Sequence, residues 1–134
     1  RLSTGRSKAG TANKFGDEQL DVDLAADRII FDEFKRCGAV AVAASEETPT
    51  EEPMGGSSES LYSVAFDPLD GSSIIDANFA VGSIFGVWPG ERLLGRTGRQ
   101  QAASCVTQYG PRTSMAIALS AIATGGDAVA FEVS

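Results

Sequence analysis

The sequence predicts a layered fold of mixed α/β or α+β class. Two observations support this prediction: one stretch of helical periodicity near the start, and several short apolar runs bounded by turn-forming residues after it. The chain has 134 residues, of which 43% are hydrophobic, so it is long enough for one domain with a buried core. No apolar run approaches the ~20 residues that a membrane span requires, so no membrane partner is expected.

The first part of the chain combines a basic segment with an amphipathic helix. Residues 1–16 are basic and rich in small residues, and predict a flexible arm. From residue 17 to about residue 35, apolar residues recur at steps of three and four, which predicts a helix that ends near Gly38. The predicted apolar face consists of Val22, Ala26, Ile29, Ile30 and Phe34.

The rest of the chain contains runs that are typical of strands. Each run is apolar or rich in β-branched residues, and turn-forming residues such as Gly and Pro separate it from the next. We expect strands at residues 39–44, 61–66, 80–88, 112–119 and 128–133, and a second helix at residues 100–109.

Composition limits the chemistry that the chain can perform. The net charge is −7, which argues against a nucleic-acid partner, and 15 of the 18 acidic residues lie in residues 17–76. Histidine is absent, which excludes a Ser–His–Asp mechanism and leaves carboxylates, hydroxyls, amides and metal ions. Cys37 and Cys105 are far apart and without metal-ligand spacing, so we expect two free thiols that pack as small core residues.

Acidic side chains stand on the predicted helix and at the ends of two predicted strands. Two are four residues apart on the predicted helix, two follow the first predicted strand, and two flank a Pro-Leu turn after the next strand. They are Asp23 and Asp27, Glu46 and Glu47, and Asp67 and Asp70. Such acids are either solvated or gathered around cations, and these residue types alone predict only a candidate divalent-cation site.

The segment after the third acidic pair adds groups that suit an anion. Asp67, Asp70 and the carbonyl of Leu69 supply the oxygen ligands that Mg²⁺ prefers. Gly71, Ser72 and Ser73 follow at once with backbone N–H groups and two hydroxyls. A cation site beside an anion site is the arrangement that phosphoryl transfer requires.

Longer motifs resemble the lithium-sensitive sugar and inositol phosphatase superfamily. The acidic pairs occur in that superfamily's order, and the resemblance extends over about residues 11–120. Within it, the chain is more similar to the sedoheptulose-1,7-bisphosphatases than to the fructose-1,6-bisphosphatases, because Ile74 stands where the latter carry Asn. The motifs are Phe-Gly-Asp-Glu-Gln-Leu at 15–20, Val-Ala-Phe-Asp-Pro-Leu-Asp-Gly-Ser-Ser-Ile-Ile-Asp at 64–76, Val-Gly-Ser-Ile-Phe-Gly-Val-Trp-Pro-Gly at 81–90 and Tyr-Gly-Pro-Arg-Thr at 109–113.

The resemblance implies a role for each candidate residue. The implied catalytic residues, which orient and deprotonate the attacking water, are Glu47 and Asp27, with Asp23 as a weaker alternative. The implied ligands of Mg²⁺ or Mn²⁺ are Glu46, Glu47, Asp67, the Leu69 carbonyl and Asp70. The implied 1-phosphate-binding residues are Gly71, Ser72 and Ser73.

The resemblance also implies a fold and a function. It predicts a partial α+β sugar-phosphatase fold, in which residues 17–134 form the N-terminal metal-binding domain, with one helix and a mostly antiparallel sheet, and the C-terminal part is absent. The implied enzyme is a phosphoric monoester hydrolase that converts sedoheptulose 1,7-bisphosphate to sedoheptulose 7-phosphate. Two alternatives are a fructose-1,6-bisphosphatase and a truncated, non-catalytic cation-binding module.

Three further expectations concern context. The complete protein is expected to be a homo-oligomer, and the fragment alone is expected to be inactive. Plastid enzymes of this family carry a regulatory cysteine pair where this chain has Arg6 and Thr11. The predicted location is therefore either the plastid or the cytoplasm.

Overall fold

The computed structural model describes residues 8–12, 18–57, 59, 61–77 and 80–134. Within this part of the chain, one long helix packs on a seven-stranded sheet, and a separate two-stranded sheet precedes the helix. The elements are β1 Lys8–Ala12, β2 Glu18–Leu20, α1 Asp21–Cys37, β3 Val40–Ser45, β4 Glu52–Pro53, β5 Tyr62–Asp70, β6 Gly82–Pro89, β7 Ala103–Gln108, β8 Ser114–Leu119, α2 Ala121–Thr124 and β9 Val129–Val133, with 3₁₀ helices at Ser72–Ala77 and Gly98–Gln100.

The large sheet is mixed, with one parallel pair. Its strand order is β4-β3-β5-β6-β7-β8-β9, and every neighbouring pair is antiparallel except β3 and β5. The parallel pair is joined by a connection that includes the short strand β4, and its two strands end at the same edge of the sheet. This architecture confirms the predicted α+β class with one helix and a mostly antiparallel sheet.

Helix α1 differs from the prediction in its start and in the face that it buries. It begins at Asp21, after β2, and ends at Cys37, where Gly38 adopts a φ of 70° that favours glycine. Its buried residues are Asp23, Asp27 and Phe31, whereas Ile29, assigned to the apolar face, is 63% exposed. The helix therefore turns two carboxylates toward the sheet, which periodicity of apolar residues cannot predict.

The core lies between helix α1 and strands β3, β5 and β6. Phe66 on β5 contacts Phe31 and Phe34 of the helix edge-on, with ring centroids 5.2 Å and 5.5 Å apart. Its ring also stacks on Phe85 of β6, at 5.9 Å. Such aromatic pairs contribute beyond their buried area, so this cluster fixes the helix on the sheet.

Two local predictions are wrong. Residues 100–109 contain strand β7 instead of a helix, because Ala103–Gln108 pairs with strands on both sides. The flexible arm at residues 1–16 stays a prediction: Lys8–Ala12 forms β1, and residues 1–7 and 13–16 lie outside the described residues. Cys37 is exposed at the end of α1, while Cys105 is half-buried, and both thiols are free.

The face of the sheet that α1 covers continues beyond the helix as an apolar surface. In register with Phe85, the paired residues Cys105, Ile117 and Phe131 share this face. Phe131 is 47% exposed. In the described part of the chain, no helix has the length and hydrophobicity to span a membrane.

Candidate functional site

The predicted acidic turn lies at the end of β5. Asp67 is within the strand and Asp70 is its last residue, and the pairing with β6 is irregular between them. The Leu69 N–H donates to Asp67 Oδ1 at 2.9 Å, which folds the turn back on the carboxylate. Gly71 follows with a φ of 84°, a conformation that other residues rarely adopt.

The parallel pairing of β3 and β5 brings the second acidic pair to this turn. Ser45 is paired with Phe66, and the Glu46 N–H donates to the Phe66 carbonyl at 3.1 Å. The Glu46 side chain is hydrogen-bonded to the side chain of Asp67. The two acidic segments, 21 positions apart in the sequence, therefore meet at one edge of the sheet.

Asp67 is in an environment that disfavours its ionised form. Burial raises the pKa of this carboxyl group, and the charges of Asp70 and Asp23 raise it further. The hydrogen bonds from Leu69 and Glu46 act in the opposite direction, and the net pKa is above the usual 3.8.

The helix contributes two buried carboxylates to the same region. Asp23 is 2% exposed, and its charge acts on Asp67. Asp27 is 6% exposed and accepts hydrogen bonds from Ser45 Oγ at 2.5 Å and from Thr48 Oγ1 at 3.2 Å. Both hydroxyls flank Glu46 and Glu47, so Asp27 ties α1 to the loop that carries the glutamates.

Sequence reasoning missed the hydroxyl partners of Asp27. Ser45 and Thr48 enclose the two glutamates, and the Thr48 N–H also donates to Ser45 Oγ at 2.9 Å. A hydroxyl residue on each side of an acidic pair was the available signal, because Ser and Thr in this spacing form local side-chain turns.

The predicted phosphate-binding residues form a turn and the start of a short helix. Ser72 is the first residue of the 3₁₀ helix Ser72–Ala77, and the Ile74 N–H donates to the Gly71 carbonyl at 3.1 Å. Ser73 is exposed and Ser72 half-buried. The first N–H groups of a helix have no partner within it, so this segment can offer donors beside the acidic turn.

The donor set suits a hard divalent cation in kind. Glu46, Asp67 and Asp70 supply carboxylate oxygens, and the side chains of Glu46 and Asp67 interact with each other at the two strand ends. As these side chains are placed, no three Asp, Glu or Cys residues within the described ranges are grouped closely enough to hold a metal ion.

Comparison with known proteins places this arrangement in a family. The sequence matches the family "Fructose-1-6-bisphosphatase, N-terminal domain" over residues 4–133. It is 54% identical over 115 residues to the chloroplastic sedoheptulose-1,7-bisphosphatase of Triticum aestivum, which covers 84% of this chain and 29% of the relative. It is 47% identical over 107 residues to a class 1 fructose-1,6-bisphosphatase of Geobacter metallireducens, which covers 80% of this chain and 34% of the relative.

Solved structures support the same assignment. A crystal structure from Toxoplasma gondii, of a protein provisionally assigned as a sedoheptulose-1,7 bisphosphatase, matches with a TM-score of 0.78 and 38% identity over 98% of this chain and 45% of that one. The fructose-1,6-bisphosphatase of Leishmania major in its holo form matches with a TM-score of 0.71 and 29% identity over 84% of this chain and 38% of that one. The chain thus spans less than half the length of the proteins it matches. It belongs to the fructose-1,6-bisphosphatase family and corresponds to the family's N-terminal domain.

Proposed function

We propose that this chain carries the cation- and phosphate-binding part of a sugar bisphosphatase, which hydrolyses the 1-phosphate of sedoheptulose 1,7-bisphosphate with Mg²⁺ or Mn²⁺. The observation that carries the proposal is the meeting of Glu46 and Asp67 at the ends of two parallel strands. The choice of substrate rests on relatives from wheat and Chlamydomonas that are 54% and 55% identical and are named sedoheptulose-1,7-bisphosphatases.

The cation would be held by the carboxylates of the two strand ends. We assign as ligands the side chains of Glu46, Glu47, Asp67 and Asp70 and the carbonyl of Leu69. When bound, the cation would lower the pKa of a water molecule and neutralise charge on the phosphate. Residues 17–134 then form the metal-binding domain of the enzyme.

The remaining residues of the site would handle the water and the phosphate. Glu47 and Asp27 would orient the water, whose oxygen forms a bond to phosphorus as the bond from phosphorus to the sugar oxygen breaks. Glu47 and Asp27 would accept the proton from the water, and the leaving sugar oxygen would take up a proton from solvent. Donors from Gly71, Ser72 and Ser73 would bind the 1-phosphate oxygens. The observed contacts of Asp27 give it a positioning part as well, because it fixes the loop that carries Glu47.

Fructose 1,6-bisphosphate is the second candidate substrate. The match to the fructose-1-6-bisphosphatase family and the 47% identity to a class 1 enzyme favour it. A third candidate is a non-catalytic cation-binding module, since the chain spans only 29% of the wheat relative. The plant and algal relatives are named chloroplastic, which favours a plastid location over the cytoplasm. We also propose that the whole protein is a homo-oligomer.

Phosphate release from the two bisphosphates tests the function. The assay is run on the 134-residue chain and, where the gene encodes a longer protein, on that protein. We expect the longer protein to hydrolyse sedoheptulose 1,7-bisphosphate in a Mg²⁺-dependent way, and the 134-residue chain alone to show little or no turnover. In the longer protein, Asp70→Asn should lower the rate at least about 100-fold, because the cation contributes several kcal/mol to the transition state. Glu91→Gln, which alters an exposed acid at the other end of β6, is the control and should leave the rate unchanged. Full activity of Asp70→Asn would rule out the assigned site.

A further inference from the structure

A buried hydroxyl network lies directly beneath the acidic turn. Ser83, on β6, is 1% exposed. Its Oγ lies 2.8 Å from the Pro68 carbonyl oxygen and 2.9 Å from the hydroxyl oxygen of Tyr109. The Ser83 N–H donates to Thr107 Oγ1 at 2.8 Å, and that hydroxyl lies 3.3 Å from the Ser83 carbonyl oxygen.

The direction of each hydrogen bond follows from the number of protons. A serine hydroxyl has one hydrogen, and the Pro68 carbonyl can only accept, so Ser83 Oγ donates to Pro68. The Tyr109 hydroxyl must then donate to Ser83 Oγ. Thr107 accepts from the Ser83 N–H and donates to the Ser83 carbonyl. Each of the three hydroxyl protons therefore has one acceptor, and the network has a single pattern of donors and acceptors.

Thr107 also explains why the network lies at this point of the sheet. Regular pairing of β6 with β7 runs from Val87 to Ile84 and stops before Ser83. Beyond the gap, Val81 and Tyr109 form an isolated bridge. The Thr107 hydroxyl forms hydrogen bonds with the backbone N–H and carbonyl of Ser83, where regular pairing of the two strands has stopped. The serine hydroxyl is directed at the turn.

One peptide group connects this network to the acidic site. The Pro68 carbonyl accepts from Ser83 Oγ, and the N–H of the same peptide unit, that of Leu69, donates to Asp67 Oδ1. The peptide unit is planar, so a hydrogen bond at its carbonyl sets the direction of its N–H. Linked hydrogen bonds in a buried site also polarise one another.

We propose that Ser83, held by Tyr109 and Thr107, is a positioning residue that fixes the Pro68–Leu69 peptide plane and thereby the orientation of the Asp67 carboxylate for a divalent cation. The predicted role of Ser83 in cation binding rests on the proposed function. Its predicted role in orienting the Pro68–Leu69 peptide does not, because that role follows from hydrogen bonds within the chain.

Ser63 provides a matched control. It is also on a central strand, is 0% exposed, and its Oγ donates to a loop carbonyl, that of Arg92, at 2.9 Å. It lies at the opposite end of β5, away from the acidic turn. Ser63→Ala and Ser83→Ala therefore remove the same group from equally buried positions, and only the second alteration reaches Asp67.

Calorimetric titration of the 134-residue chain with MgCl₂ is the first test. We expect Ser83→Ala to weaken Mg²⁺ binding about 10-fold, as is usual when a residue that orients a ligand is lost, and Ser63→Ala to change it less than about twofold. Tyr109→Phe should weaken binding about threefold. Because the Tyr109 ring is partly exposed, this variant should fold, and it replaces Ser83→Ala in the test if Ser83→Ala does not fold. Equal losses in the two serine variants, or none in Ser83→Ala and Tyr109→Phe, would overturn the inference.

Amide exchange of Leu69 by NMR, without cation, gives a second and independent result. The Leu69 N–H should exchange faster in Ser83→Ala and Tyr109→Phe than in the wild type, and at the wild-type rate in Ser63→Ala. Unchanged exchange in the first two variants would contradict the positioning role. If Asp70→Asn binds Mg²⁺ as the wild type does, the proposed site is wrong, and the Leu69 measurement still decides whether Ser83 orients the turn.

Discussion

The two ends of the β5–β6 pair are built in a similar way but leave their polar groups in different states. At the end that carries residues 67–70, a buried serine bonds the turn, yet the acids there act on one another and the pKa of Asp67 is raised. At the far end, another buried serine bonds Arg92, and Glu51 Oε1 accepts the N–H groups of Leu93 and Leu94 at 2.7 Å and 2.8 Å.

The difference indicates what each end is for. At the far end, the Glu51 carboxylate meets two N–H donors, which satisfies its charge and stabilises the loop. At the site end, the Asp67 carboxylate meets one N–H and other carboxyl groups, which costs stability without a cation. Unfavourable electrostatics that the surrounding fold holds in place are typical of binding sites.

The largest effect is expected from a methyl group at the site end. In Gly82→Ala the new Cβ would overlap the backbone carbonyl oxygen of Thr107, which cannot move without breaking the β6–β7 contact. We expect a loss of about 3 kcal/mol in the free energy of unfolding, typical of overpacking, together with loss of Mg²⁺ binding. Denaturant unfolding measures the first and calorimetry the second. Gly98→Ala, where the added carbon meets nothing within 4 Å, is the control.

A smaller effect is expected at the far end. Glu51→Ala leaves the N–H groups of Leu93 and Leu94 without their acceptor, so we expect a loss of about 2 kcal/mol in the free energy of unfolding. Mg²⁺ affinity should stay at the wild-type value, because this loop lies at the opposite end of the β5–β6 pair from the acidic turn. A parallel loss of Mg²⁺ affinity would show that the two ends are coupled and would contradict the separate roles assigned to them.

The smallest effect is the pH dependence that Asp67 contributes. Because its pKa in the fold is above the usual 3.8, its contribution to stability is complete below 3.8 and is lost as pH rises through the higher value. We therefore expect the melting temperature of the wild type to fall relative to that of Asp67→Asn as pH rises from about 3.5 to about 7. This range begins just below the ordinary pKa of a carboxyl group.

Added Mg²⁺ gives a second difference in melting temperature between the wild type and Asp67→Asn. At neutral pH it should raise the melting temperature of the wild type more than that of Asp67→Asn, because Asn has no negative charge to attract the cation and binding to the folded state stabilises it. A melting-temperature difference that stays constant over this pH range would contradict the raised pKa of Asp67.

Local patterns predicted part of the fold. The strands at 61–66, 80–88, 112–119 and 128–133 were predicted near their observed positions, because each is an apolar run between turn residues. The helix predicted at 100–109 was wrong, since the alternation of Ser104, Val106 and Gln108 with small residues is weak and the pairing of β7 on both edges decided its structure. The candidate acids were found from their positions at element ends, but their roles came from a family resemblance.

The chemical groups that are available can be identified from the amino-acid sequence: no histidine, a concentration of acids in residues 17–76, and a Gly-Ser-Ser segment after an acidic turn. Which of these groups lie close together depends on the tertiary fold. The parallel pairing of β3 with β5 placed Glu46 against Asp67, and the rotation of α1 buried Asp23 and Asp27. Residues 83 and 109 joined the site for the same reason. Strand pairing and helix rotation depend on contacts between distant residues, and periodicity along the chain carries no information on those contacts.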